Sequence, residues 1–306
     1  MKIKKFIPVI GMIISLVVLS FVLSSCGSES GETSSGKGTF QPGECMVTEF
    51  NSENAVTGDG YALDYSGTAS GYIGIQATSN WEKLVFQVSA NGIQYNYWFD
   101  EDNQTLIIPL QYGSGNYTFN VLQNTTGDKY ATIYSNTEYV ELTDEFQPFI
   151  RSNSMVNYEV DSECVKEAAK LASQCDNDAE LVNKVYEFVE DKIDYDHEFA
   201  DSNPEMYYPD LDGTLDSGKG ICFDYAALAA GMLRSQGVPA KIITGYVYLD
   251  GELYHAWNMI YLKNEGWITV EISASAENWN QVDITMDDTG DISALGEGSY
   301  TQRYVY

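Results

Sequence analysis

The spacing of hydrophobic positions changes along the chain, and its first ordered part reads as β-structure. Between residues 45 and 150, apolar and polar residues alternate in short runs separated by turn-forming residues such as Asn91-Gly92. This pattern is typical of half-buried strands joined by tight turns. It predicts strands within the segments 71–77, 83–90, 94–100, 104–110, 115–123, 130–136 and 137–143. Short strands at this spacing indicate an all-β, sandwich-like domain over residues 45–150.

From residue 158 onward the apolar spacing becomes helical. One helix is predicted over 162–174 and a second over 177–193, where Asn177 and Glu180 have the spacing of a capping box. The segment that follows, 194–217, is predicted to be a long aromatic loop, and loops of that length are usually functional.

A third, mostly apolar helix is predicted to begin at Cys222, with Gly237 and Pro239 ending it. Alternation then predicts strands over 240–249, 252–262, 267–273 and 279–285, and a last strand over 300–306. These helices and strands make up a second domain over residues 158–306.

The N-terminal residues have the features of a targeting segment. Three lysines precede an uncharged apolar run, and "LSSC" at 23–26 resembles the lipobox of bacterial lipoproteins. We expect a signal peptide over 1–25, a lipid on Cys26 and a flexible linker over 26–44. The alternative is an uncleaved membrane helix. The expected location is the cell membrane, with the folded part lipid-anchored on its extracytoplasmic face.

The formal net charge of −29 excludes one class of partner. A chain this acidic repels phosphate backbones, so a nucleic-acid-binding function is not expected. A solvated acidic surface accounts for most of this charge, and calcium or cationic substrates are the alternatives left open.

The five cysteines and two histidines limit the metal and disulfide chemistry. Cys164 and Cys175 flank one predicted helix and would be about 16 Å apart along its axis, too far for a disulfide. No Cys/His spacing fits a zinc site, and we expect neither a metal nor another cofactor.

Cys222 and His255 are the residues best suited to nucleophilic catalysis. A cysteine at the start of a helix faces unpaired backbone N–H groups, which favour a thiolate and can hold an oxyanion. A buried cysteine alone is more often packing, but His255 lies in an apolar strand and can serve as the base. His197 lies in an acidic run and is expected to be a solvated loop residue.

The base needs an orienting carboxylate, and the residues leave two alternatives open. Asp283 and Glu271 both lie on predicted strands after His255. Asp283 is shorter and holds an imidazole more rigidly, whereas Glu271 is closer to His255 in sequence.

The segments "GTLDSGKGICFDYAALAAGMLRSQGVPAKIITGYV", "YHAWNMIYL" and "W…VDIT" together resemble the transglutaminase-like (papain-fold) superfamily of bacteria. The resemblance covers about residues 180 to 306 and implies an α+β core. It implies a catalytic triad of Cys222 as nucleophile, His255 as base and Asp283 as orienting acid. The family's "D-P-T-F" reads "D-I-T-M" here, and a shorter family spacing falls on Glu271 instead.

The resemblance implies a surface-anchored cysteine enzyme of acyl transfer, in bacteria a peptidase or amidase acting on a peptide or protein through a thioester. The alternative is a non-catalytic binding or adhesion module that keeps the fold, with the active site covered by the 194–217 segment.

Overall fold

The computed structural model describes residues 38–202, 204, 207–248, 252–272, 282–285 and 300–306. The expected signal peptide and Cys26 lie outside these residues. Among the helices described, none has the length and hydropathy of a membrane span.

The first domain consists of two four-stranded antiparallel sheets. Its strands are β1 (Val56–Gly58), β2 (Tyr61–Asp64), β3 (Tyr72–Ala77), β4 (Leu84–Ala90), β5 (Ile93–Trp98), β6 (Thr105–Pro109), β7 (Gly115–Thr126) and β8 (Lys129–Val140). One sheet has the order β1-β2-β3-β6 and the other β5-β4-β7-β8.

The two sheets pack face to face through aromatic side chains. Tyr65 next to β2 meets Phe119 of β7 edge-on, with ring centroids 5.5 Å apart, and Phe119 is fully buried. The Tyr65 hydroxyl lies 3.2 Å from that of Tyr134 on β8. The sandwich-like domain predicted from alternation is therefore present.

Two details of the predicted strands are wrong. The segments 130–136 and 137–143 were predicted as separate strands, but they form the single strand β8, because β7 pairs with it almost without interruption. The strands β1 and β2 are missing from the prediction, because they are only three and four residues long and neither shows alternation of burial.

The second domain begins with helices. They are α1 (Glu163–Ala172), α2 (Asp178–Lys192), α3 (His197–Asp201), α4 (Leu211–Ser217) and α5 (Cys222–Arg234). The two-residue strands β9 (Asp194–Tyr195) and β10 (Lys219–Gly220) pair in parallel. Asn177 caps α2 as predicted, since its Oδ1 accepts from the Glu180 N–H at 2.9 Å.

The 194–217 segment is more ordered than the predicted loop. Asp196 caps α3 by accepting from the Phe199 N–H at 3.0 Å, and Asp210 caps α4 by accepting from the Gly213 N–H at 3.0 Å. His197 is exposed at the start of α3, as predicted.

The helices pack on a five-stranded antiparallel sheet. Its strands are β11 (Ala240–Tyr248), β12 (Glu252–Leu262), β13 (Gly266–Ile272), β14 (Val282–Thr285) and β15 (Tyr300–Val305). Their order is β14-β13-β12-β11-β15, so the last strand returns to pair with the first. Together with the helices this is the predicted α+β core, and α5 lies against β11 and β12.

The two domains contact each other through β5 and β15. The Val305 N–H donates to the Tyr95 hydroxyl at 3.1 Å, and the Tyr95 ring lies 5.1 Å from that of Tyr304. Residues 38–43 also run along the second domain, where the Phe40 N–H donates to the Cys175 carbonyl at 2.9 Å.

The four cysteines in the described part of the chain are free thiols. Cys164 and Cys175 are buried, whereas Cys45 and Cys222 are half-buried. Cys164 lies in the first turn of α1 and Cys175 lies beyond its last turn.

Candidate active site

Cys222 is the first residue of α5, as the sequence predicted. The carboxylate of Asp224 accepts a hydrogen bond from the Ile221 N–H at 2.8 Å. The next N–H groups of the first turn have no acceptor within the helix, because every helix leaves its first donors unpaired. The Cys222 side chain is half-buried at this positive end of the helix dipole.

The approach to Cys222 is held in place rather than flexible. Lys219 and Gly220 form β10, which pairs with Asp194 and Tyr195. Gly220 has no room for a side chain, because a Cβ there would lie 2.7 Å from the Cβ of Asp224. A glycine before the cysteine therefore lets the strand pass close to the first turn of α5.

Aromatic residues surround the start of α5. Phe223 lies edge-on to Tyr207 at 5.7 Å and contacts Tyr306 at 6.1 Å. Burial raises the pKa of Tyr207 well above its usual range, and the Asp224 carboxylate and Cys222 add to this effect. Burial also raises the pKa of Tyr195, followed by the effect of Cys222. The 194–217 segment thus contributes tyrosines to the surroundings of Cys222.

His255 lies on β12, buried to 5% exposure, with Gly245 of β11 as its register partner. Its ring lies nearly parallel to that of Trp257, with centroids 6.5 Å apart. Alternation along the strand places His255 and Trp257 on one side and Asn258 on the other.

Asn258 joins three elements beneath this site. Its Nδ2 donates to the Ala226 carbonyl of α5 at 3.0 Å and to the Lys241 carbonyl of β11 at 3.1 Å. Its Oδ1 accepts from the Tyr186 hydroxyl of α2 at 2.6 Å. Asn258 is only 1% exposed, so it fixes α5 against β12 in a dry environment.

A second buried residue fixes the other end of α5. Arg234 is fully buried and donates to the carbonyls of Ala240 at 2.8 Å, Arg151 at 3.2 Å and Tyr306 at 3.2 Å. Burial lowers the pKa of Arg234 to about 10. These carbonyl acceptors compensate for the desolvation of the guanidinium.

The two anchors determine the direction of α5 relative to β12. Ala226 is held at Asn258, whereas Arg234 is held at Ala240, which pairs with Ile260. Helix and strand therefore run in the same direction. Cys222 precedes the first anchor by four residues and His255 precedes it by three, so both lie towards the same end of the helix–strand pair.

The two candidate carboxylates occupy neighbouring strands. Glu271 on β13 and Asp283 on β14 are register partners. β13 pairs directly with β12, whereas β14 is one strand further away. Glu271 therefore lies on the strand next to that of His255.

Three residues near the site were not found by sequence reasoning. Asp224, Asn258 and Arg234 are buried polar residues in otherwise apolar elements. The sequence signal for each was a polar or charged side chain at a position where burial was predicted, which usually means a satisfied partner. Among the described residues, no group of His, Cys, Asp and Glu could hold a metal ion.

The second domain is thus an α+β unit with a cysteine at the start of its central helix and a histidine on a neighbouring strand. Residues 166–272 match the sequence model of the Transglutaminase-like superfamily. The match includes Cys222, His255 and Glu271 and ends before Asp283. Comparison with curated protein sequences gave no match.

Several solved structures are similar to the chain. A proposed cysteine protease from Cytophaga hutchinsonii is 16% identical, with a TM-score of 0.38, covering 82% of this chain and 80% of that one. Red sea bream transglutaminase is 12% identical, with a TM-score of 0.31, covering 69% and 49%. A proposed protease from Parabacteroides distasonis is 16% identical, with a TM-score of 0.30, covering 63% and 38%.

Proposed function

We propose that the protein is a cysteine-dependent acyl-transfer enzyme, a peptidase or amidase that acts on peptide or protein substrates at the cell surface. The observation that carries the proposal is the position of Cys222. It is half-buried at the start of a helix that Asn258 fixes to the strand of His255. The thiol is thus reachable, stands at a positive helix end and has a base on the adjoining strand.

The reaction proceeds in two balanced steps. His255 takes the proton of the Cys222 thiol, the sulfur attacks the amide carbonyl carbon, and the first-turn N–H groups of α5 hold the oxyanion. The C–N bond then breaks and His255 gives the proton to the leaving amine. Water attacks the thioester while His255 takes its proton, the C–S bond breaks, and the proton returns to the sulfur.

The Asn258 side chain faces α5, whereas alternation directs the His255 side chain to the other face of β12. In this proposal the sulfur and the imidazole therefore meet at the end of the helix–strand pair. The imidazole must extend past the sheet beyond the first turn of α5. This arrangement leaves the N–H groups of that turn directed at the same position as the sulfur.

The acidic member of the triad has two candidates. Asp283 is the prediction from the sequence motif. Two observations favour Glu271: its strand is the one paired with β12, and the family match includes it. We propose Glu271 as the orienting acid. The isosteric variants Glu271→Gln and Asp283→Asn decide between them, because only substitution of the residue that orients His255 should lower kcat by orders of magnitude.

The experiment that tests the function follows the thioester. The protein is incubated with an activated acyl donor, the p-nitrophenyl ester of N-acetyl-alanine, and its intact mass is measured over time. We expect acetyl-alanyl addition to Cys222, its turnover by water, and neither event in Cys222→Ala. Cys45 serves as the matched thiol, since it is also half-buried and lies outside the site.

Two results would overturn the proposal. One is acylation of Cys45 as readily as Cys222, which would mean that Cys222 has no special reactivity. The other is hydrolysis of the ester that persists unchanged in Cys222→Ala.

A further inference from the structure

β15 contains a bulge in the same row of the sheet as His255. Thr244 pairs with Tyr304, but Gly245 pairs with Gln302, so Arg303 is left over between them. Gly245 is also the partner of His255 on its other side. Bulges of this kind redirect a side chain and are common beside active sites.

Gly245 makes the bulge possible. A Cβ at this position would lie 2.1 Å from the carbonyl oxygen of Thr301. Only glycine therefore lets the bulged strand approach β11 here. The Arg303 side chain is exposed.

A group of tyrosines holds the Arg303 guanidinium. Its Nη1 donates to the Tyr246 hydroxyl at 3.3 Å, and its Cζ lies 5.3 Å from the centre of the Tyr304 ring. The Tyr246 ring packs edge-on against Tyr254, the residue before His255, at 5.2 Å. These contacts orient the guanidinium, which has five N–H donors.

Arg303 has no acidic partner in the described part of the chain. The ion pairs found there involve only Lys166 and Lys170. A guanidinium that is oriented, exposed and unpaired with acid is suited to bidentate binding of a carboxylate.

We propose that Arg303 binds a carboxylate of the substrate and so selects acidic acyl substrates. This inference rests on the proposed function, because the carboxylate belongs to the molecule that Cys222 attacks. Neighbouring strands are about 4.8 Å apart, so the bulge lies about 10 Å from the His255 backbone. An extended peptide spans that distance in about three residues. The carboxylate is either an acidic side chain or a free C-terminus, about three residues from the scissile bond.

Binding to Cys222→Ala tests the proposal without depending on catalysis. Calorimetry compares N-acetyl-Glu-Ala-Ala-Ala-amide with its Gln counterpart, and N-acetyl-tetraalanine with its amide. We expect at least one carboxylate peptide to bind about fivefold more tightly than its neutral match, as one oriented arginine–carboxylate pair provides. The first pair reports a side-chain carboxylate and the second a C-terminal one.

Variants assign the preference to Arg303. Adding Arg303→Gln should abolish the fivefold preference, and Arg303→Lys should keep part of it. Lys129→Gln removes the same charge at the tip of the β7–β8 hairpin and should leave the preference unchanged. Thermal melting of each variant checks that the sheet is intact.

Three results would overturn the inference: equal binding of charged and neutral peptides, a preference that survives Arg303→Gln, or no binding of any of the four peptides. Failure of the proposed function has a different signature. It appears in the protein with Cys222 intact, as slow alkylation of that thiol at the same rate in His255→Ala. The calorimetric result is independent of it, because binding is measured in Cys222→Ala.

Discussion

Replacement of Asn258 by alanine should destabilise the protein strongly. Three hydrogen bonds are lost, to Ala226, Lys241 and Tyr186, all in a buried environment. Each such bond contributes about 1 kcal/mol net, and the Tyr186 hydroxyl left without this partner costs about 1 kcal/mol more. We therefore expect the free energy of unfolding to fall by about 4 kcal/mol.

Guanidinium denaturation of wild type and Asn258→Ala measures this loss. Asn116→Ala is the matched control, because Asn116 is exposed on β7 and should change the stability by less than about 0.5 kcal/mol. Tyr186→Phe alone should cost about 1 kcal/mol, and much less in the Asn258→Ala background, because the bond is already gone.

The reasoning is refuted if Asn258→Ala is as mild as Asn116→Ala, or if the Tyr186→Phe and Asn258→Ala effects simply add. Either result would mean that Asn258 does not hold α5, β11 and α2 together. The orientation of Cys222 relative to β12 would then need another explanation.

Three further variants test separate parts of the structure. Gly245→Ala should cost about 2 kcal/mol in denaturation and displace β15, since its Cβ would meet the Thr301 carbonyl at 2.1 Å; Gly115→Ala, where the space is open, should not. Asp212→Ala should cost about 1 kcal/mol at neutral pH, because Asp212 accepts from the first N–H groups of α1 at 2.9 and 3.0 Å. Burial opposes these bonds, but they lower the pKa of Asp212, so its stabilising effect should disappear as the pH falls below the ordinary value of 3.8. Burial lowers the pKa of Lys241 to about 8. Between pH 8 and the ordinary value of 10.5, the folded chain therefore binds fewer protons than the unfolded chain. The free energy of unfolding should rise with pH across this window in wild type but not in Lys241→Met. A flat Lys241 profile, a pH-independent Asp212 effect or a silent Gly245→Ala would each contradict its argument.

Most helices and strands could be predicted because the signals for where they begin and end lie in a few adjacent residues. The cap of Asn177 on α2 and the start of α5 at Cys222 each depend on a few adjacent residues. The short helices of the 194–217 segment had such signals too, in the aspartates Asp196 and Asp210, but the absence of a long apolar period concealed them.

The rest could not be read from the chain because it depends on distant contacts. The partners of Arg234 include Arg151 and Tyr306, which lie far away in sequence. The bulge at Arg303 exists only because β15 returns to pair with β11. Motif spacing alone leaves Glu271 and Asp283 open, and only the paired sheet shows that the strand of Glu271 is the one next to β12.

The central claim is that His255 activates the Cys222 thiol. The most direct measurement is the rate of Cys222 alkylation by iodoacetamide at neutral pH, followed by peptide mass spectrometry, in wild type and in His255→Ala. We predict a rate about a hundredfold lower in the variant, which is the usual contribution of a positioned base. Equal rates in the two proteins, with Cys222 reacting no faster than Cys45, would contradict the claim.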